Sequence, residues 1–251
     1  MKIVGNPVYQ SLNSFIQSIP SIFDKEGTLV YNDRNQLKTY RVGEQEVIVK
    51  SFKKPFFFNR IVYTFFRPSK ARRSYEYAFR LLEKGVPTPA PIACIEEKKG
   101  GLLSRSYYIS VFEKDSDHIR SYMSGEEKDE SLIRELARFI SDFHAKGVHF
   151  LDVSPGNILQ KKENGKFSFS LVDINRMKFK SPLSLKDRYS SFKRLSRNFE
   201  VLESLAREYA RCSQLDEQEA IAKIEEACSR FFNVKKQYKK LSTTLPTAAK
   251  D

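Results

Sequence analysis

The first half of the chain contains short segments in which apolar and β-branched residues alternate with polar ones. Such segments, separated by turn residues, are typical of strands. Turn residues occupy positions 32–35 and 43–44. The segments with the strand pattern are residues 28–31, 37–42, 46–50, 92–95 and 106–111. The sequence therefore predicts a small antiparallel sheet, opened by a meander.

One amphipathic helix is predicted within this sheet region. Apolar residues recur at helical intervals over residues 69–84, at Ala71, Tyr75, Ala78 and Leu82. Ser69 is placed to cap the start of the helix, and Gly85 followed by Pro87 ends it. The first part of the chain is therefore expected to be a sheet with one main helix.

The second part of the chain is mostly helical in pattern. Its first helix carries apolar residues at Leu132, Leu136, Ile140 and Phe143, and Gly147 ends it. Residues 158–160 and 167–174 flank a Lys-Glu-Asn-Gly turn, which predicts a hairpin. Residues 186–241 have helical periodicity, and the small, polar tail 242–251 is expected to be disordered.

Composition indicates a globular protein with its own core. The chain has 251 residues, of which 40% are apolar. It contains no apolar run long enough to span a bilayer, and its N-terminus lacks the apolar segment of a signal peptide. We therefore expect a cytoplasmic protein, soluble or peripheral on the inner face of the membrane. Its three cysteines lack metal-site spacing and are expected to be reduced core residues.

A net charge of +13 predicts attraction to a polyanion, whether nucleic acid, an anionic membrane or a phosphorylated glycolipid. Between Lys50 and Ser74 there is no acidic residue, and eight lysines and arginines alternate with aromatic residues. This segment is suited to an anionic membrane, with rings at the headgroup level and cations on lipid phosphates. The alternative is an ordinary surface, with a core of aromatics and a solvated basic face.

Three polar residues stand where a phosphoryl-transfer enzyme needs them. Asp152 and Asn157 have the Asp-x-x-x-x-Asn spacing of a kinase catalytic loop, and Asp173 ends an apolar segment about twenty residues later. The reaction needs one carboxylate to orient the attacking hydroxyl, and an amide with a second carboxylate to hold magnesium. The alternative is that Asp152 and Asn157 are only turn residues.

The chain resembles the protein-kinase-like superfamily and, within it, the bacterial lipopolysaccharide core kinases that phosphorylate Kdo or heptose. The resemblance spans most of the chain. It implies an α+β, two-lobed protein-kinase-like fold, with a small antiparallel-sheet N-lobe at residues 1–115 and a mostly helical C-lobe at residues 116–241. The segments that carry it are residues 47–52, 69–76, 85–89, 152–159 and 172–177.

The same resemblance implies a role for each candidate residue. Lys50 would contact the ATP phosphates and pair with Glu76, and Asp152 would be the catalytic base. Asn157 and Asp173 would bind Mg²⁺. Physical reasoning supports Lys50, because an ammonium at the end of an apolar strand needs an anion. Lys53 and Glu83 are weaker competitors for the Lys50 and Glu76 roles. His149 is expected to be structural or exposed, since Phe150 holds the usual histidine position.

The departures from the kinase pattern concern the nucleotide loop and the acceptor. No Gly-x-Gly-x-x-Gly loop is present, so phosphate binding would fall to the turn at residues 32–35. Leu151 replaces an arginine that clamps phosphorylated loops in many protein kinases. Asn175 replaces the glycine of Asp-Phe-Gly, and no Ala-Pro-Glu follows. A peptide acceptor lacks its usual docking platform, which favours a small molecule or a glycan.

The sequence thus predicts an ATP-dependent kinase that phosphorylates a sugar hydroxyl of the lipopolysaccharide inner core at the cytoplasmic membrane face. Its expected partners are ATP, an anionic glycolipid or sugar acceptor and an anionic membrane, with nucleic acid disfavoured. One alternative is a kinase of another small molecule or of a protein. Another is a catalytically inactive kinase-like module that binds an anionic partner.

Overall fold

The computed structural model describes residues 1–33 and 35–244, with side chains through Asn233. Residues 245–251 of the predicted tail lie outside the described residues, and residues 242–244 instead end the last helix. The chain divides into two compact units. Unit 1 is Met1–Ser116 with Ser170–Arg176, and unit 2 is Asp117–Phe169 with Met177–Asp251. The break after Ser116 falls beside the predicted boundary, whereas the sequence does not predict the assignment of Ser170–Arg176 to unit 1.

Unit 1 is built on a six-stranded antiparallel sheet with strand order β1-β5-β6-β4-β3-β2. All five predicted strand segments are confirmed, and β1 is an addition. Its elements are β1 (Lys2–Gly5), a 3-10 helix (Pro7–Leu12), α1 (Asn13–Ile22), β2 (Thr28–Asn32), β3 (Asn35–Val42), β4 (Gln45–Phe52), α2 (Phe57–Phe65), α3 (Lys70–Glu83), β5 (Pro91–Lys99) and β6 (Leu102–Val111).

The sheet of unit 1 buries both of its faces. Side chains alternate along β4, so Val47 and Val49 pack in one cluster and Phe52 packs in another. The first cluster includes Ile16 and Ile19 of α1, which covers that face. The second includes Ala71 and Tyr75 of α3, together with Cys94 of β5. The longest helix of unit 1 is the predicted one, and α1 adds a second covering layer.

Helix α3 begins and ends within one residue of its predicted limits. Ser69 caps it, since the Ser69 hydroxyl accepts a hydrogen bond from the backbone N–H of Arg72 at 3.1 Å. The helix ends before Gly85, whose φ of +63° is the left-handed conformation that glycine adopts readily. Local sequence signals therefore determine this helix.

Unit 2 is mainly helical, with two small sheets of strand order β10-β9-β7 and β11-β8. The predicted hairpin is confirmed as β9 and β10, although β10 ends at Leu171 and its last two residues belong to unit 1. The elements are β7 (Asp117–His118), α4 (Arg120–Ser124), α5 (Glu130–Ala145), β8 (Val148–Phe150), β9 (Ile158–Glu163), β10 (Lys166–Leu171), β11 (Met177–Phe179), α6 (Leu185–Ser191), a 3-10 helix (Phe192–Arg194), α7 (Phe199–Ser213) and α8 (Glu217–Thr244).

Helix α5 leads into β8 through a turn that only glycine fits. Gly147 has a φ of +75°, and a Cβ at this position would lie 2.6 Å from the carbonyl oxygen of Lys180. This distance is too short for any side chain, and Gly147 therefore ends α5 as the sequence predicts. The turn brings β8 against β11 and places the catalytic-loop candidate directly after β8.

The three cysteines are free thiols in the described structure. Cys94 and Cys228 are buried, and burial raises the pKa of each to about 12, so neither is a reactive thiolate at neutral pH. Cys212 is partly exposed. No helix among residues 1–33 and 35–244 is both long enough and apolar enough to cross a bilayer.

A buried histidine joins three helices in the core of unit 2. His144 of α5 hydrogen-bonds through Nδ1 to the hydroxyl of Tyr209 at 2.9 Å and through Nε2 to that of Ser191 at 3.1 Å. Its side chain is 2% exposed. Burial, followed by the nearby Arg188 charge, lowers the pKa of His144 to about 3. The imidazole is therefore neutral in the folded protein near neutral pH.

We expect His144 to make unit 2 acid-sensitive. In the unfolded chain a histidine has a pKa near 6.5, so only the unfolded state binds the proton as the pH falls from about 6.5 towards 3. The contribution of the neutral His144 to the free energy of unfolding is therefore complete above this window and is lost as the pH falls through it. When the pH is lowered from 7 to 5, this group should reduce the free energy of unfolding by about 2 kcal/mol. Urea unfolding at the two pH values measures it.

The matched variant for this measurement is His144→Gln. Glutamine loses part of the hydrogen-bond network at both pH values, but it does not titrate. The difference between pH 7 and pH 5 should therefore shrink by about 2 kcal/mol in the variant, whatever its absolute stability. An unchanged pH dependence would show that His144 is not the acid-sensitive group.

Candidate active site

Lys50 lies on β4, an interior strand between β3 and β6. Its ammonium pairs with the Oδ1 atom of Asp173 at 2.7 Å and lies 5.4 Å from the centre of the Phe52 ring. The Lys50 side chain is only 13% exposed, so its charge needs the carboxylate partner. The structure thus brings together two of the residues predicted from sequence, both within unit 1.

Asp173 follows β10 in the segment that returns to unit 1. The segment is held by a hydrogen bond from the backbone N–H of Leu171 to the Pro87 carbonyl at 3.0 Å, and by one from the Thr88 hydroxyl to the Leu171 carbonyl at 2.7 Å. Asp173 itself has a φ of +53°, which aspartate tolerates better than most residues. The Asn175 amide donates a hydrogen bond to its Oδ1 atom. The carboxylate is therefore fixed at the end of an anchored strand.

Glu76 does not make the predicted contact with Lys50. Its Oε1 atom accepts a hydrogen bond from Arg72 Nε at 2.7 Å, one helical turn earlier on α3. The physical reason is proximity, because residues four apart on a helix are neighbours, while Asp173 already satisfies Lys50. A nucleotide role for Glu76 stays a prediction, and it would require a change of partner.

Asp152 and Asn157 occupy one compact loop in unit 2, directly after β8. The Asn157 amide donates a hydrogen bond to the Asp152 backbone carbonyl at 2.8 Å, and the Asn157 N–H donates to the Ser154 carbonyl at 2.9 Å. These bonds fix the orientation of the Asn157 side chain relative to Asp152. These bonds order the loop, and a polar turn without a catalytic role would show the same local pattern.

Arg194 contacts the carboxylate of Asp152 and was not predicted from sequence. Its Nη1 atom is hydrogen-bonded to Asp152 Oδ1, and its guanidinium lies 4.9 Å from the ring centre of Phe231. The Arg194 Nε atom is buried and has no hydrogen-bond partner among the side chains that the structure describes, which end at Asn233. The guanidinium therefore holds the Asp152 side chain in place.

A second arginine of unit 2 lies against the same loop. A Cβ at Gly156 would be 2.4 Å from the Nη2 atom of Arg120, so the glycine leaves room for this guanidinium where it lies. Arg120 and Arg194 are far from the loop in sequence and belong to no local motif. No sequence signal could have found either of them without a contact map.

The family comparison places these residues in a known context. A family model described as lipopolysaccharide kinase (Kdo/WaaP) family matches residues 27–221. This match covers more than half of the chain. The chain belongs to the lipopolysaccharide kinase (Kdo/WaaP) family. The resemblance found in the sequence is therefore confirmed, and all five residues predicted for the site lie within the matched range.

The structural comparison shows the same fold. A solved structure of WaaP in complex with acyl carrier protein matches with a TM-score of 0.62 and 16% sequence identity. The match covers 92% of this chain and 100% of that chain. The predicted protein-kinase-like fold class is therefore confirmed. A search of curated protein sequences finds no match.

Membership of a lipopolysaccharide kinase family makes this chain a phosphotransferase that uses ATP.

Phosphoryl transfer also needs a divalent cation, and oxygen ligands suit magnesium. Asp173 offers a carboxylate and Asn157 an amide oxygen. Among residues 1–33 and 35–244 no three His, Cys, Asp or Glu side chains cluster as a metal site. Such a cluster is not required, because magnesium in kinases takes further ligands from phosphates and water. Carboxylate and amide oxygens, taken each by itself, are donors of the kind that magnesium binds.

His149 is buried in β8 and is not part of the loop that holds Asp152 and Asn157. It is 4% exposed, and its Nδ1 atom lies 3.5 Å from Asp187 Oδ1. Burial lowers the pKa of His149, while the Asp187 carboxylate partly opposes this shift. Its position agrees with the structural role expected from the sequence.

Proposed function

We propose that this protein transfers the γ-phosphoryl group of ATP to a sugar hydroxyl of the lipopolysaccharide inner core, Kdo or heptose, at the cytoplasmic face of the membrane. The observation that carries this proposal is the Lys50–Asp173 pair within a chain of the lipopolysaccharide kinase family. A lysine and an aspartate in this relation are the parts with which kinases hold nucleotide phosphates and their metal.

The residues divide into nucleotide and acceptor roles. Lys50 binds phosphate oxygens, while Asp173 and Asn157 hold magnesium, which neutralises charge on the phosphates when it is bound. Asp152 orients the acceptor hydroxyl and accepts its proton as the oxygen attacks the γ-phosphorus, whose bond to the bridging oxygen breaks to release ADP. Fixed charges and hydrogen bonds carry out this work, so the residues contribute mainly by positioning.

An anionic acceptor is supported by the arginines beside the catalytic loop. Arg194 and Arg120 both reach the loop in unit 2 and place two guanidinium groups beside it. Guanidinium groups bind carboxylates and phosphates through paired hydrogen bonds. A sugar that carries a carboxylate or an earlier phosphate would use these donors, whereas a cationic drug would be repelled by them. This favours a core sugar over an aminoglycoside or choline.

The decisive test is an assay of the purified full chain with labelled ATP, Mg²⁺ and separate acceptors that contain Kdo, heptose or neither. We expect label on one of the two core sugars and none on the acceptor that lacks both. Label on an added protein substrate instead would contradict the proposal. A parallel reaction with acyl carrier protein, the partner with which WaaP was solved, tests whether this chain depends on it.

We expect Arg194→Gln to lower kcat/KM for the acceptor by tenfold or more and to leave the KM for ATP unchanged. The variant loses the group that holds Asp152 and that is proposed to bind the anionic acceptor. Arg194→Lys should recover part of the loss, because the charge is kept without the fork geometry. Arg197→Gln is the matched control, since Arg197 contacts Phe232 in the same way that Arg194 contacts Phe231. An equal loss in both variants would indicate a general structural effect.

A further inference from the structure

The segment from Phe56 to Phe66, which contains α2, exposes more aromatic surface than a folded unit normally leaves in water. We define the aromatic surface as Phe56, Phe57, Phe58, Phe65 and Phe66, whose exposed fractions are 86%, 60%, 80%, 69% and 81%. Phenylalanine is usually buried, and single exposed apolar residues need no explanation, whereas five in one short segment do. Something outside this unit is therefore expected to cover them.

Helix α2 cannot simply rotate to bury these rings, because one of its faces is fastened to the sheet. Arg60 Nε donates to the Leu103 carbonyl at 2.7 Å, and the Leu103 N–H donates to the hydroxyl of Thr64 at 2.9 Å. Arg60 and Thr64 are one turn apart on one side of the helix. Phe58 and Phe65 lie seven residues apart on the other side, facing away from the sheet.

Exposed cations stand at both ends of the aromatic surface. Lys53 and Lys54 precede α2, and Arg67 and Lys70 follow it, all four of them exposed. No acidic residue occurs between positions 50 and 76 to neutralise them. This charge is complementary to an anionic surface, and each such cation near an anionic bilayer contributes about 1 kcal/mol. We call these four residues the basic flank.

We propose that the aromatic surface and the basic flank bind an anionic phospholipid bilayer, with the rings among the headgroups and the cations on lipid phosphates. The role of this surface rests on the proposed function, because bilayer binding would hold the enzyme beside a lipid-linked acceptor. The rings protrude as two pairs, with centroid separations of 6.0 Å and 6.5 Å, at opposite ends of the helix. A fluid bilayer admits such separate protrusions, whereas a protein partner needs a formed pocket for each.

Vesicle binding by the full chain tests this proposal. Co-sedimentation would use vesicles of phosphatidylcholine alone and vesicles that also contain phosphatidylglycerol. We expect binding to the anionic vesicles that weakens with salt. Phe58→Ser combined with Phe65→Ser should weaken it roughly tenfold, and Lys53→Gln combined with Lys54→Gln roughly 25-fold, since about 1 kcal/mol per cation is about fivefold.

The matched control is Phe199→Ser, because Phe199 is 54% exposed but lies in unit 2 without the basic flank. This variant should bind vesicles as the wild type does. Three outcomes would overturn the proposal: no binding by the wild type, equal loss in the control, or equal binding to both kinds of vesicle. Polyglutamate serves as a stand-in for an acidic protein. If the phenylalanine and lysine variants lost binding to polyglutamate but bound vesicles as the wild type does, the proposal would be overturned in favour of an acidic protein partner.

A soluble acceptor separates this proposal from the proposed function. Deacylated core oligosaccharide needs no membrane, so the phenylalanine and lysine variants should phosphorylate it at the wild-type rate. Vesicle binding without phosphorylation of any acceptor would support the membrane surface and contradict the sugar-kinase function. Phosphorylation of a core sugar without vesicle binding would support the sugar-kinase function and contradict the membrane surface.

Discussion

Asp152→Asn is expected to lower kcat by roughly 10³-fold, with little change in the KM for ATP. Asparagine keeps the size of the side chain, and its amide oxygen can still accept the hydrogen bond from Arg194. It cannot take a proton from the acceptor hydroxyl. The loss should therefore fall on the chemical step, and single-turnover phosphorylation with saturating ATP measures that step.

The control for this substitution is Asp142→Asn. Asp142 also forms an ion pair in unit 2, with Lys146 at 2.6 Å, but it lies on α5 outside the catalytic loop. Its loss should leave kcat unchanged, because exposed helical pairs contribute only a few tenths of a kcal/mol. Turnover near the wild-type rate in Asp152→Asn would refute the role of Asp152 as base. The Asp152→Ala variant should show at least as large a loss.

Asp173→Ala is expected to abolish both phosphorylation and Mg²⁺-dependent stabilisation by ATP. Asp173 is the anion that Lys50 contacts at 2.7 Å, and it is the proposed magnesium ligand. Without it the divalent cation loses a carboxylate ligand, and the phosphates lose the metal that neutralises their charge. For the wild type, ATP at 100 times its Kd with Mg²⁺ should add about 2.7 kcal/mol of unfolding free energy. The variant should gain close to none.

Two further variants make this result specific. Asp24→Asn removes a paired carboxylate of unit 1 that contacts Arg105 at 2.6 Å and has no role in the proposed nucleotide site, and it should keep the full stabilisation by ATP. Lys50→Met leaves Asp173 in place and should weaken ATP binding. The stabilisation by ATP that remains should still require Mg²⁺. If Asp173→Ala retained magnesium-dependent stabilisation, another residue would have to hold the metal.

The same measurement decides between an enzyme and an inactive kinase-like module. An inactive module that binds an anionic partner has no need of magnesium, so its stabilisation by ATP would not depend on the cation. The proposed enzyme requires Asp173 and Mg²⁺ together. Stabilisation by ATP in the wild type that is equal with and without Mg²⁺ would favour the inactive module.

Elements with strong local signals were predictable from the sequence. Helix α3 has its serine cap, its apolar stripe and its glycine end, and the structure confirms it to within one residue at each end. The β9–β10 hairpin follows from its turn, in which Asn164 and Gly165 both have positive φ. The kinase motif likewise identified Asp152, Asn157 and Asp173 as candidates, because their spacing along the chain is itself the signal.

Helix α2 shows where local signals end. Its composition suggested either a membrane surface or an ordinary basic surface, and the pattern of aromatics could not separate them. The hydrogen bonds of Arg60 to the carbonyls of Leu103 and Lys99 decide which way the helix faces. These partners are about forty residues distant along the chain, a separation at which no local pattern operates.

By itself the sequence determined five strands of the unit 1 sheet, helix α3, the β9–β10 hairpin, the family and the candidates for phosphoryl transfer, because short-range periodicity, caps, turns and motif spacing encode them. The tertiary structure alone decided which charges meet: Lys50 with Asp173, Glu76 with Arg72, and Arg194 with Asp152. Ion pairs form between whichever opposite charges folding brings within about 4 Å, and that choice depends on the whole packed chain.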